Sequence, residues 1–338
     1  MATIEGTATG VSFALTDEQK ALRGLAREFA EKEIRPKEAA YDEHMRHPAD
    51  VIAKAHELGL MNLHVPEEYG GLGLGCFDGM LVGEELYWGC SGIGTSISAN
   101  GLGSGPVIIA GTEAQKAAWL PPLVEQPILC SFGLSEPGAG SDVASLKTTA
   151  VRDGHEYVLN GSKTFITNAG YAAWTVVFAK TDPRGGAKGM SAFIVPMDTP
   201  GVTIEKHLDK MGQRSTDTSA FALQDVRVPA ENRLGEEGDG FKIAMATLDF
   251  TGPAPRSARS ASRRRRTTIR SHTRRSASPS TCRSRCTRAS TSWSPTWRPR
   301  SRRRVCSPGR PRGCSTRATA ARRHSTRRSQ SASPPTRR

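Results

Sequence analysis

The chain has 338 residues and a formal net charge of +14. That length allows two or three domains, and no run of about 18 apolar residues indicates a membrane-spanning helix. The N-terminal residues have neither the basic start and apolar core of a secretory signal nor the Arg-rich character of a transit peptide. We therefore expect a soluble, cytoplasmic protein without a membrane partner.

The charge is divided between two unlike parts of the chain. Residues 252–338 contain 26 Arg and no Lys, Asp or Glu, which leaves 21 of the 47 basic residues and all 33 acidic residues to residues 1–251. The Arg-rich part also lacks Leu, Phe, Met, Tyr and Asn. A segment of that composition buries too little apolar surface to offset the entropy lost on ordering, so residues 252–338 are predicted to be disordered.

The seven cysteines do not have the spacing of a metal site. No two of them form a Cys-x-x-Cys pair, and Cys282 and Cys286 have no Cys or His partners at zinc-finger spacing. We predict no metal site. Cys76, Cys90 and Cys130 are interpreted as small buried apolar residues in a reducing compartment.

Residues 1–127 are predicted to form a helical domain. Residues 16–19 (TDEQ) and 112–115 (TEAQ) each have the spacing of a capping box, with a hydroxyl at the N-cap and an amide three positions later. A helix predicted over 49–58 ends at Gly59, the residue type that most readily adopts the positive φ needed after a helix.

Residues 128–240 are predicted to form a β domain. Short alternating or apolar runs, typical of strands, occur at 148–151, 156–159, 174–179, 191–195, 202–206 and 219–223. Asn160-Gly161 between two such runs predicts a type I′ hairpin. Residues 241–251 have the pattern of the start of another helical domain, so the fold class predicted for residues 1–251 is α+β.

Residues 132–142 combine small residues, hydroxyls and turn formers between the helical and the strand-rich parts. Such a stretch suits a wall against a flat, phosphate-bearing ligand. The simpler alternative is an ordinary Pro-Gly turn between two domains.

Four segments resemble the acyl-CoA dehydrogenase family, most closely its medium-chain members. They occur in the family's order and spacing and are PEEYGGLG at 66–73, LSEPGAGSD at 134–142, NGSKTFITN at 160–168 and MGQRSTD at 211–217. The resemblance implies a helical N-terminal domain, a middle β domain and a C-terminal four-helix bundle, with FAD as cofactor. It also implies oxidation of an acyl-CoA thioester to trans-2-enoyl-CoA, an electron-transfer flavoprotein as acceptor and a homotetramer.

The resemblance assigns site residues by motif. Those assigned to FAD are Phe132, Leu134, Ser135, Gly140, Ser141, Phe165, Ile166 and Thr167. Those assigned to the acyl-CoA substrate are Ser141 and Asp249. Taken alone, residues 165–167 would fit a buried hairpin strand better. The motif at 211–217 is assigned no ligand, and His64, His155 and His207 are interpreted as surface or packed residues.

No catalytic residue is assigned, because the family's catalytic Glu belongs to the C-terminal bundle. None of Glu67, Glu85 and Glu136 lies in a motif that would replace it. After Thr251 the family continues with an Arg, but this chain continues with Gly252-Pro253, where its composition changes. Codons for residues 278–297, read in a frame that starts one base earlier, permit a stretch resembling the family's C-terminal segment.

A frameshift after Thr251 therefore explains the Arg-rich part as a shifted reading of a GC-rich gene, and it predicts an inactive product. DNA sequence across codons 250–253 without a shift would contradict it. Two other readings stay open. One is an Arg-rich protein that binds nucleic acid or other polyanions without sequence specificity, and the other is a non-catalytic protein that binds flavin or acyl-CoA.

Overall fold

The computed structural model describes residues 14–251 and residue 261. Within these residues the chain order is eight helices, eight strands and a ninth helix. The helices are α1 (Asp17–Phe29), α2 (Glu38–Glu43), α3 (Ala49–Glu57), α4 (Cys76–Gly89), α5 (Ser91–Ser98), α6 (Asn100–Ala110), α7 (Glu113–Trp119), α8 (Pro121–Glu125) and α9 (Gly240–Thr251). Apart from residue 261, the disorder and the frame change predicted for residues 252–338 concern residues outside this description.

Both predicted capping boxes are confirmed. At the start of α1, the Thr16 hydroxyl accepts a hydrogen bond from the Gln19 amide at 3.2 Å, and the Gln19 side chain accepts one from the Thr16 amide at 3.1 Å. The same reciprocal pair opens α7. Gly59 follows α3 with φ of 66°, as its residue type predicts. Local sequence therefore determines where these helices begin or end.

The strands form one sheet. They are β1 (Leu129–Gly133), β2 (Thr149–Asp153), β3 (Glu156–Thr167), β4 (Ala172–Lys180), β5 (Met190–Pro196), β6 (Val202–His207), β7 (Thr218–Pro229) and β8 (Arg233–Leu234). The strand order is β6-β7-β3-β2-β4-β5-β8, and β1 pairs in parallel with β4. The predicted α+β fold, a helical N-terminal domain followed by a β domain, is thus confirmed.

The hairpin predicted at Asn160-Gly161 is wrong. Both residues lie inside β3, where the pairing with β7 shifts register. The Asn160 side chain donates a hydrogen bond to the Asp225 carboxylate on β7 and accepts one from the Asp225 amide. A Cβ on Gly161 would lie 2.4 Å from the Thr148 hydroxyl. Gly161 is therefore required by a close approach, and the tight turn between β2 and β3 falls at Gly154 instead.

Helix α6 packs directly against the first strand of the sheet. A Cβ on Gly103 would lie 2.7 Å from the Cys130 sulfur and 2.8 Å from its carbonyl carbon. The Asn100 side chain accepts a hydrogen bond from the Cys130 amide at 3.0 Å and donates one to the Ile128 carbonyl at 2.9 Å. Because the backbone of α6 at Gly103 contacts Cys130 and the Asn100 side chain bonds the backbone of Ile128 and Cys130, the helical domain is held against the sheet at β1.

Arg214, in the motif for which no ligand was assigned, also joins the two domains. Its amide donates to the Asp42 carboxylate at 2.8 Å, and its guanidinium donates to the Asp42 carbonyl at 3.1 Å and to Asp209 at 2.7 Å. This motif therefore has a structural role between α2 and the loop before β7. Of the helices in the described part of the chain, none is long and apolar enough to cross a membrane.

The contact between α6 and β1 predicts opposite effects for two glycine substitutions. Gly103→Ala should lower the free energy of unfolding by about 1–3 kcal/mol, because the added methyl group overlaps the strand backbone. Gly24 lies at an exposed position of α1, with nothing within 4 Å of an added Cβ. Gly24→Ala should therefore raise the free energy of unfolding by about 0.5–1 kcal/mol through helix propensity. Urea unfolding of both variants tests this, and equal stability of the two would contradict it.

Candidate functional site

A cavity of about 650 Å³ lies between the helical domain and the sheet. Residues of α4, α5, α6 and α9 line it on the helical side. All eight residues assigned to the cofactor line it too, namely Phe132, Leu134, Ser135, Gly140, Ser141, Phe165, Ile166 and Thr167. The structure thus brings two distant motifs together. Asp249 is exposed and does not line the cavity, although its neighbours Leu248 and Phe250 do.

The first wall of the cavity, residues 132–142, begins at the end of β1. The Phe132 ring packs edge-on against Phe178, with centroids 4.9 Å apart. A tight turn follows, in which Glu136 and Ala139 exchange backbone hydrogen bonds at 2.9 and 3.1 Å. This segment is therefore a Pro-Gly turn and a cavity wall at once.

The second wall, residues 163–167, owes its shape to a β-bulge. The β3–β7 register shifts between Lys163 and Ile166, so Lys163, Thr164 and Ile166 are all buried while Phe165 is 70% exposed. Phe165 has φ of 58°, a left-handed conformation that costs an aromatic residue free energy. Bulges commonly re-aim a side chain beside a functional site, and here the bulge turns Phe165 into the cavity.

A buried ion pair connects the two walls. The Lys163 ammonium, with no exposed surface, donates to the Glu136 carboxylate at 2.7 Å. Burial lowers the pKa of Lys163 to about 8, although Glu136 opposes this shift. Burial alone would raise the pKa of Glu136, but the charge and hydrogen bond of Lys163, together with hydrogen bonds from Thr148 and the Lys147 amide, outweigh burial and hold that pKa below its ordinary value.

Three hydroxyls on the walls are left free to bind a ligand. Among the described residues, the Ser135, Ser141 and Thr167 side chains have no hydrogen-bond partner, and all three line the cavity. The cavity volume lies in the range of about 300–1,000 Å³ that is usual for small-molecule sites. Aromatic rings with a few convergent hydroxyls suit an aromatic, polar-edged group such as a flavin ring, so the residues present fit FAD.

Polar residues on the helical side were missed by sequence reasoning. His64 lines the cavity, and its Nδ1 lies 2.8 Å from the Leu74 carbonyl, which requires a proton on Nδ1. Tyr87, Thr95 and Ser98 contribute hydroxyls, and burial raises the pKa of Tyr87. None of the four lies in a recognisable motif, because α4 to α6 come together only in the fold.

No carboxylate lines the cavity in the described part of the chain. Glu136 is engaged by Lys163, and buried Glu85 pairs with Arg27 at 3.2 Å on α1. Glu67 lies in a 3₁₀ turn outside the lining. The cavity can therefore bind an apolar chain and a flat ring, but its described walls supply no acidic side chain for proton abstraction.

Comparison with known proteins identifies the domains. Residues 16–127 match the acyl-CoA dehydrogenase N-terminal domain and residues 131–226 match the acyl-CoA dehydrogenase middle domain. The chain belongs to the acyl-CoA dehydrogenase family. A probable medium-chain specific acyl-CoA dehydrogenase 2 from Caenorhabditis briggsae is 44% identical over 246 residues, which are 72% of this chain and 60% of that protein.

Two solved acyl-CoA dehydrogenase structures show the same similarity. Butyryl-CoA dehydrogenase from Megasphaera elsdenii is 42% identical with a TM-score of 0.71, over 73% of this chain and 66% of that one. A glutaryl-CoA dehydrogenase from Mycobacterium smegmatis in complex with FADH2 is 30% identical with a TM-score of 0.69, over 74% and 64%. The chain thus spans 60 to 66% of the length of these relatives.

The strained conformation of Phe165 predicts a gain in stability on truncation. Phe165→Gly should raise the free energy of unfolding by up to about 1 kcal/mol, since glycine removes the cost of positive φ and little buried surface is lost. Val151→Gly, at a similarly exposed position of β2, should lower it by about 0.5–1 kcal/mol. Thermal unfolding distinguishes them, and a loss of stability in Phe165→Gly as large as in the control would contradict the prediction.

Proposed function

We propose that the cavity binds the flavin of FAD. The observation that carries this is the meeting of the two walls, which present the Phe132 and Phe165 rings together with the unpartnered Ser135 and Thr167 hydroxyls. A relative that holds FADH2 supports it. Leu134, Gly140, Ser141 and Ile166 complete the assigned set.

The chain's residues would bind and orient the ring. Hydroxyls of Ser135 and Thr167 would donate to polar atoms at its edge, and the two Phe rings would pack on its apolar surface. When bound, flavin supplies a two-electron acceptor for a hydride. Leu86 and Ile97, on the helical side of the cavity, would exclude water from an acyl chain laid beside it.

We propose an acyl-CoA thioester as the second ligand, with Ser141 and Asp249 as its assigned contacts. The reaction of the gene lineage would be α,β-dehydrogenation of a fatty or branched acyl-CoA. Proton abstraction from the α carbon needs a base, and neither the described cavity walls nor residues 252–338 contain a carboxylate for it. The 338-residue chain would therefore bind both ligands with little or no turnover.

The remaining assignments follow from the same proposal. Reduced flavin of an active relative would pass electrons to an electron-transfer flavoprotein, and such relatives would assemble as homotetramers. For this chain the cytoplasm stays the predicted compartment. Binding of nucleic acid by the Arg-rich part concerns residues outside the description, and no observation of the described residues favours it.

Flavin binding by the purified chain tests the proposal. FAD fluorescence should be quenched on titration with the wild-type protein. Ser135→Ala and Thr167→Val should each weaken binding about 2- to 10-fold, because each removes one neutral hydrogen bond worth about 0.5–1.5 kcal/mol.

An exposed hydroxyl residue outside the cavity provides a control. Thr203→Val should bind FAD as the wild type does. Absence of wild-type binding would contradict the proposal, and so would equal weakening in the control variant.

A further inference from the structure

Lys163 contacts three pieces of the fold at once. Its ammonium donates to the Leu134 carbonyl at 3.3 Å, to the Glu136 carboxylate at 2.7 Å and to the Phe178 carbonyl at 2.7 Å. Leu134 and Glu136 belong to the first wall, Phe178 to β4, and Lys163 itself to the second wall. All three donors of the ammonium therefore have acceptors, each at a junction beside the cavity.

Glu136 is satisfied just as fully. One carboxylate oxygen accepts from the Thr148 amide at 3.1 Å and its hydroxyl at 2.6 Å, and the other accepts from the Lys147 amide at 2.6 Å. The carboxylate thus fixes the chain that returns from the first wall to β2. A further bond, from the Thr164 amide to the Ser135 carbonyl at 3.0 Å, joins the walls one residue beyond each member of the pair.

Burial of the two charges of this pair carries a desolvation penalty. Replacement of a buried ion pair by neutral side chains of similar volume is often neutral or stabilising, so the pair is weak evidence for a role in stability. Its geometric effect is distinct, because it prescribes which carbonyls and amides of the two walls face each other. That geometry places Ser135 and Phe165 at the cavity.

We propose that Lys163 and Glu136 are positioning residues of the flavin site, which hold the Ser135 hydroxyl and the bulge at Phe165 in the arrangement that binds the ring. The proposal rests on the proposed flavin function for its ligand. It does not place either charge in contact with the flavin.

The test compares a neutral pair with a matched control. Lys163→Met combined with Glu136→Gln removes both charges, leaves none unpaired, and keeps a side-chain acceptor for Thr148. Lys180→Met is the control, because Lys180 is also buried in the sheet and donates to a carbonyl, that of Gly186, without lining the cavity. Three quantities are measured: FAD affinity, unfolding temperature and the exchange rate of the Thr164 amide hydrogen.

The double variant should bind FAD at least tenfold more weakly than Lys180→Met at a similar unfolding temperature, and its Thr164 amide should exchange faster. FAD affinity within twofold of the control, with unchanged Thr164 exchange, would overturn the proposal. If the wild type binds no flavin, the proposed function fails. Thr164 exchange then decides the positioning role, since faster exchange in the double variant alone supports it and equal exchange overturns it.

The pH dependence of FAD affinity gives a readout that a purely structural role would not change. Among the described residues, Glu136 is the charged group that faces Lys163, and Leu134 of the first wall and Phe178 of β4 present carbonyl oxygens to it. Since the pKa of Lys163 is lowered to about 8, affinity should fall as pH rises through that value in the wild type and in Lys180→Met. It should stay flat in the double variant.

Unfolding does not explain such a fall. The pKa of Lys163 in the folded chain lies below its value of 10.5 in the absence of burial. The unfolded chain therefore binds more protons at this group between the two values, and the group's contribution to stability rises with pH there. A fall of equal size in the double variant would contradict the positioning role.

Discussion

The contact between Lys163 and Glu136 is the constraint on which the rest of the cavity depends. It joins a turn at the end of β1 to a bulged part of β3, two segments that are separated by more than twenty residues in the chain. Both charges are buried, so each needs the other and the surrounding carbonyls and amides to avoid an unpaired charge. Because neither wall can shift without breaking these bonds, the rings and hydroxyls on the walls keep fixed positions.

The same constraint explains the strained backbone conformation of Phe165. Phe165 adopts positive φ and is largely exposed, while Lys163 and Ile166 on either side are buried. In a strand without a bulge, side chains alternate between the two faces of the sheet, so Lys163 and Phe165 would lie on the same face. The bulge interrupts this alternation, so the ammonium can point inward while the ring faces the cavity.

Much of the fold could be predicted from the sequence, because its signals are local. The capping boxes at Thr16 and Thr112 and the glycine after α3 depend on neighbouring residues alone. Asn160-Gly161 shows where such reasoning fails, since its turn preference is overridden by pairing with β7 and by the approach of Thr148. The motifs located the two walls, but the bulge in the second wall leaves no pattern in the sequence.

The helical side of the cavity could not be predicted for a related reason. His64 reaches the cavity because α4 packs against the loop before it, where a Cβ on Gly79 would lie 2.7 Å from the His64 ring, and Tyr87 lies further along α4. Lys163 lies within a recognised motif, yet its three acceptors come from the first wall and β4. Sequence therefore identified which segments matter, and packing determined what each side chain does.

On the proposed function, this chain holds a flavin and an acyl-CoA thioester between its walls but supplies no carboxylate base. The most direct test is to mix the FAD-loaded chain anaerobically with butyryl-CoA and to follow the visible absorbance of the flavin. A perturbed spectrum that keeps its oxidised absorbance is the predicted result. Bleaching of the flavin at more than a trace rate would contradict this expectation, since no carboxylate side chain lines the described cavity to remove the α proton.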